Sequence, residues 1–212
     1  MKLISASFAG HAPIPAEFAF CAMDAKTRAT LSSNHNPHLS WQGAPADTKS
    51  FALICVDPDV PSKGDDVNQE GRIVPASLPR VDFFHWVLVD IPASVSRIAA
   101  GEFSSSVIAR GKPAKSGPAA PHGARHGIND YTVWFAGDAD MAGDYYGYDG
   151  PCPPWNDSIA HHYQFAIYAL DVATLDITGR FNGGDARRAM EKHVLAQATL
   201  TGTYTLNPAV RL

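Results

Sequence analysis

The sequence predicts an all-β-dominated fold, an antiparallel β-sandwich with a C-terminal helix and a few short helices. Three observations point there. Short apolar or alternating runs recur along the chain, rich in β-branched and aromatic residues. Gly, Pro, Asn and Asp separate them, and the chain holds 16 prolines and 17 glycines. The strand runs do not alternate with helical patterns, as βαβ units would require.

Taken in order, the pieces near residues 18–20 and 39–41 are weak strand signals. The run 51–56 is a strong one, all apolar and rich in β-formers. The run 83–89 is another, stopped by Ile91-Pro92. The segment 93–150 reads as a long irregular loop. Its part 99–127 is rich in Ser, Ala, Gly, Pro and His, a composition that long functional or mobile loops share. Within it, Thr132, Val133, Trp134 and Phe135 read as a short strand or as an apolar anchor. Tyr145, Tyr146 and Tyr148 form an aromatic cluster. A strand follows over 161–170. Asp185 can cap a helix over 186–198, with Ala186, Met190 and Val194 on one stripe. Gly202 then follows the helix, within a last strand over 200–206.

At 212 residues the chain fits one domain, 1–212. Its formal charge of -4 gives no basic field, which argues against nucleic-acid binding. No apolar run is long enough for a membrane span. The N-terminal stretch lacks the apolar core of a signal peptide, so a cytoplasmic location is expected. The three cysteines, Cys21, Cys55 and Cys152, are an odd count and are expected to be reduced, with Cys55 buried.

Four polar blocks interrupt runs that otherwise read as core: Asp57-Pro58-Asp59-Val60-Pro61, His85, Gly150-Pro151-Cys152-Pro153-Pro154, and His161-His162-Tyr163. Buried carboxylates and imidazoles are costly unless paired or set in a cleft, so the four suggest one shared site. Strand periodicity supports this. Side chains two apart share a face, so Asp57 goes with Asp59, His85 with Phe83 and Val87, and His161 with Tyr163. His162 falls opposite. Each polar residue lies near a strand end, where a sandwich opens into loops. Singly, each block also reads as a turn signal or a solvated edge.

Together the blocks resemble the signature of the phosphatidylethanolamine-binding proteins. The Pro-Cys-Pro-Pro form, Pro13-Ile14-Pro15, Leu39-Ser40-Trp41 and the tail from Ala189 to Ala196 are similar to the bacterial, Raf-kinase-inhibitor-like branch. The resemblance spans about residues 8–204. It implies a β-sandwich with a small ligand pocket at one rim, formed by Asp57, Asp59, Pro61, His85, Gly150, Pro151, Pro153, His161 and Tyr163. The implied ligand is a small anion or zwitterion, phosphate or phosphoethanolamine-like. Some relatives of that family regulate kinases by protein contact. The chain departs from the family at His162, at Trp155-Asn156-Asp157 and in the length of 132–148. Trp155 and the three tyrosines are expected to cover the pocket or to form a homodimer surface.

Within such a pocket, the aspartates are expected to hold His85 or His161 in one tautomer, the other ring nitrogen facing the ligand. No cofactor is expected. A metal is not expected either, since no close His-x-x-x-His spacing occurs. Catalysis is not expected: there is no Gly-x-Ser-x-Gly elbow. The alternatives are an esterase or phosphoesterase, with Asp57 and His85 as general acid and base or with Cys152 as a nucleophile near His161, and a kinase- or protease-inhibitor-like protein-interaction module.

Overall fold

A computed structural model describes residues 1–112 and 123–212. The strands, in chain order, are β1 (Lys2–Ile4), β2 (Cys21–Asp24), β3 (Arg28–Leu31), β4 (Leu39–Gln42), β5 (Ser50–Pro61), β6 (Arg80–Pro92), β7 (Arg97–Ile98), β8 (Arg125–His126), β9 (His161–Leu170) and β10 (Val194–Tyr204). The helical pieces among the described residues are a 3-10 turn at Ala16–Phe18, α1 (Tyr131–Trp134) and α2 (Gly183–Met190).

A five-stranded antiparallel sheet runs β10-β9-β5-β6-β8, beside a three-stranded sheet β1-β4-β7 and a β2-β3 hairpin. The central strands read as unbroken apolar runs because both faces of the large sheet are covered. Leu53 and Cys55 of β5, Trp86 and Leu88 of β6, and Phe165 and Ile167 of β9 face one core, shared with Leu39, Trp41 and Ile98 of the smaller sheet. Ala52, Ile54, Val87 and Val89 face the other way, against Leu175, Phe181 and α2. The sheet architecture is the one predicted.

Several elements differ from expectation. The helix expected over 186–198 is α2, and it stops at Met190. Asn182 caps it through reciprocal bonds with Asp185, which sits at the third helical position rather than at the cap. Val194 begins a strand instead, paired with Leu170, and Gly202 lies inside that strand opposite Tyr163. The stripe of Ala186, Met190 and Val194 misled because partner strand β9 offers hydrogen bonds along the whole of β10. The long-loop segment carries β7 and β8, and its residues 113–122 lie outside the described ones. Residues 131–134 form a helical turn, not a strand. Tyr145, Tyr146 and Tyr148 are buried, so they cannot supply an exposed surface.

Cys21 and Cys152 form a disulfide, which corrects the expectation of three reduced thiols. The two are 131 positions apart and come together only in the fold. Cys55 is a buried free thiol, as expected.

Candidate functional site

The rim ends of β5, β6 and β9 open into a cavity of about 400 Å³. The β2-β3 hairpin, the segment 60–68, α1 and Cys152-Pro153-Pro154 complete its lining. Asp57, Pro61, His85, Pro153, His161 and Tyr163 all line it. Asp59, Gly150 and Pro151 do not.

A β-bulge aims His85 at the cavity. Cys55 pairs with Trp86 and Val56 with Phe84, so His85 is the extra residue. The bulge breaks the expected parity: Phe83 lines the cavity with His85, but Val87 faces the opposite core. The His85 backbone carbonyl accepts from Asp149 N at 3.0 Å, and its Nδ1 donates to the Asp149 carbonyl at 2.7 Å. A carbonyl only accepts, so the proton sits on Nδ1. Nε2 is then a bare acceptor, buried and without a partner among the described residues. Rings of Phe83, Tyr131 and Tyr163 surround the imidazole at 4.9, 5.6 and 5.1 Å. That burial pulls its pKa below the usual 6.5, against the opposing pull of Asp57 and the Asp149 carbonyl. His85 is therefore neutral at pH 7.

A row of charges closes the floor beside it. His161 is fully buried, and its Nδ1 meets Asp57 Oδ2 at 2.7 Å while its Nε2 meets Asp157 Oδ2 at 3.1 Å. Asp157 in turn binds the Arg80 guanidinium through both oxygens, at 2.6 and 3.1 Å. Burial opposes the charge on His161, but the hydrogen bonds it donates to Asp157 and Asp57, with the charges of those carboxylates, outweigh it and push the pKa up to about 9. Burial likewise opposes the charge on Asp157, yet His161 and Arg80 hold its carboxyl below the usual range. His161 is thus an imidazolium with both nitrogens engaged. It cannot also point a nitrogen at a ligand, as the sequence reading expected. Among the described residues no three His, Cys, Asp or Glu side chains gather as a metal site.

A second bulge explains Asp59. Asp57 pairs with Phe83 and Val60 with Val81, so β5 carries one residue more than β6 there. Asp57 stays inward, its other oxygen accepting from Asp59 N at 2.8 Å. Asp59 turns outward and accepts from the backbone N of His162, with its Nδ1 at 2.8 Å. His162 is exposed, as periodicity predicted.

The Gly150-Pro151 step supports the wall from behind. The Pro151 carbonyl accepts from Phe20 N and Cys21 N, and Gly150 N donates to Asn34 Oδ1 at 2.8 Å. A Cβ on Gly150 would collide with the Phe18 carbonyl oxygen, so only glycine fits there. The disulfide ties Cys152 to β2, which leaves no thiol for the nucleophile considered above. Trp155 lies outside the cavity, with the Arg28 guanidinium 5.4 Å over its ring.

Sequence reasoning missed five contributors. Asp157 and Arg80 complete the charge row. Asp149 fixes the His85 tautomer; its buried carboxylate accepts from Lys112, Asn34 and Asn129 at 2.7–2.8 Å. Tyr131 lines the cavity and donates to the Gly150 carbonyl at 2.9 Å. Asp130 pins α1 to β6 by accepting from Phe84 N at 2.8 Å. The only available signal was the Asn156-Asp157 step beside the last polar block.

A family model described as phosphatidylethanolamine-binding protein matches residues 4–205. The chain belongs to that family. It is 34% identical over 171 residues to a UPF0098 protein of Methanothermobacter thermautotrophicus, covering 81% of this chain and 83% of the relative. It is 27% identical to the UPF0098 protein YbhB of Escherichia coli, covering 97% of this chain and all of the relative. The crystal structure of E. coli YbcL, titled a member of the mammalian PEBP family, superposes with a TM-score of 0.68 at 24% identity, over 96% of this chain and 97% of that one. The homologue CT736 of Chlamydia trachomatis gives 0.63 at 27% identity, over 96% and 95%. No helix in the described residues is long and apolar enough to cross a membrane.

Proposed function

We propose that this protein binds a small oxyacid ligand, phosphate or a phospho-headgroup, in the cavity floored by His85. The observation that carries this is the His85 Nε2: buried, unpartnered and set in the cavity wall, with Nδ1 committed to the Asp149 carbonyl. Such a nitrogen wants a donor. A phosphomonoester monoanion supplies one through its P–OH, and the dianion obtains the same contact once His85 takes up a proton. Either way the complex holds one more proton than its separated, deprotonated parts. Asp57, His161 and Tyr163 shape the floor, and Pro61 and Pro153 the wall. Asp59, Gly150 and Pro151 act from outside by holding β5 and the Pro-rich turn.

The proton count fixes the test. Burial sets the His85 pKa below 6.5, so the affinity for a phosphomonoester should rise as pH falls from 8, by up to about tenfold per unit, and level off only below 6.5. Calorimetry across pH 5–8 measures this, and His85→Ala should abolish binding. A flat profile in the native protein, or unchanged affinity in the variant, overturns the reading.

The Cys21–Cys152 bond favours an oxidising compartment over the cytoplasmic one expected from the N-terminus, since disulfides persist there. Thiol alkylation during cell lysis reads this out: one reactive cysteine after unfolding supports the oxidising location, and three support the cytoplasm.

A further inference from the structure

The cavity is much larger than a phosphate needs, and most of its wall is apolar. Its 400 Å³ falls within the roughly 300–1,000 Å³ of sites that enclose organic ligands. Outward from His85 the lining turns aromatic. Phe20 and Tyr131 stack at 4.5 Å with planes 15° apart, and Phe135 stacks on Tyr131 at 5.6 Å and 16°. Phe20 and Phe135 are tilted 31° to each other at 6.0 Å, so the three rings form one aromatic cluster, and Trp134, half exposed, continues it at the mouth. Aliphatic Val60 and Leu31 also line the space. Phe20 and Tyr131 are almost fully buried, so an inorganic ion on His85 would leave chiefly Leu31, Trp134 and the partly buried Phe83 and Phe135 facing water.

We propose that the occupant is an aryl oxyacid, a flat aromatic body lying against the Phe20-Tyr131-Phe135 wall with a proton-carrying oxyacid head on His85 Nε2. This rests on the head-group reading above and adds the class of molecule that carries the head. Offset or edge contacts with rings favour a flat aromatic partner over a branched aliphatic one. The charge row keeps the floor neutral overall, so the apolar body supplies much of the affinity.

Calorimetry at pH 6 with inorganic phosphate, phenyl phosphate and phenol tests the proposal. Phenyl phosphate should bind about tenfold or more tighter than phosphate, because its ring leaves water. Trp134→Ala, a change at a half-exposed position, should shrink that ratio while phosphate affinity stays unchanged. Equal affinities for phosphate and phenyl phosphate would overturn the aryl body and leave the head-group reading standing. Tight phenyl phosphate binding that survives His85→Ala would overturn the head-group reading while upholding the aromatic wall. Binding of neither phosphate nor phenyl phosphate would overturn both.

Discussion

His161 keeps a positive charge inside the protein, and that charge joins β9 to β5 through Asp57 and to the 154–159 turn through Asp157. Its folded pKa of about 9 lies above the ordinary 6.5. The contribution to stability is therefore complete below pH 6.5 and is lost as pH rises through 9, by about 3 kcal/mol at the upper end. Melting curves at pH 6 to 9.5 should show Tm falling over that window. The His161→Gln variant should melt lower at pH 6 but with a flatter profile. Asp157→Asn should cost about 3–5 kcal/mol, because it leaves Arg80 and the imidazolium short of a buried partner. Denaturant unfolding measures the cost, and a loss under about 1 kcal/mol would mean solvent replaces the carboxylate.

At the scale of elements, the site is made by departures from regularity. Two bulges, at His85 in β6 and at Pro58-Asp59 in β5, set which polar groups look inward. The wall behind them depends on Gly150. Gly150→Ala should destabilise by more than about 2 kcal/mol, because the new methyl meets backbone on a fully buried stretch that cannot give way. It should also weaken ligand binding by shifting Asp149 off His85. A melt within about 1 °C of native would refute this tight fit. The same bulges mark where sequence reading ran out. Alternation along β5, β6 and β9 was legible, so the sandwich, the inward pair of His161 and Tyr163 and the outward His162 all followed from it. An inserted residue resets alternation without any signal in the side chains, so Asp59 and the Val87 partner of His85 were placed on the wrong face. The end of α2 was hidden for a related reason: β10 is a strand because β9 pairs with it, not because of its own composition.

Across the whole molecule, one covalent link and one charge pattern matter most. The Cys21–Cys152 bond closes a loop with a sequence separation of 131, a length at which chain entropy predicts about 4–5 kcal/mol of stabilisation. Reduction with dithiothreitol, or Cys152→Ser, should lower Tm by several degrees and weaken phosphate binding, since the Pro-rich wall is then held to β2 by backbone bonds alone. An unchanged Tm would mean the two segments are fixed without the link. Pairing of this kind joins distant positions, and three cysteines do not reveal which two meet. The row Asp57, His161, Asp157 and Arg80 alternates in sign and sums to zero. Opposite charges a few ångströms apart cancel beyond their own spacing, so the row projects almost no monopole field into solvent, and the exposed Lys63 is the uncancelled charge in the cavity lining. Ligand capture here should then depend only weakly on ionic strength: raising salt from 50 to 500 mM should slow association no more than screening of the single Lys63 charge allows, and the protein selects its partner mainly on contact rather than by long-range attraction.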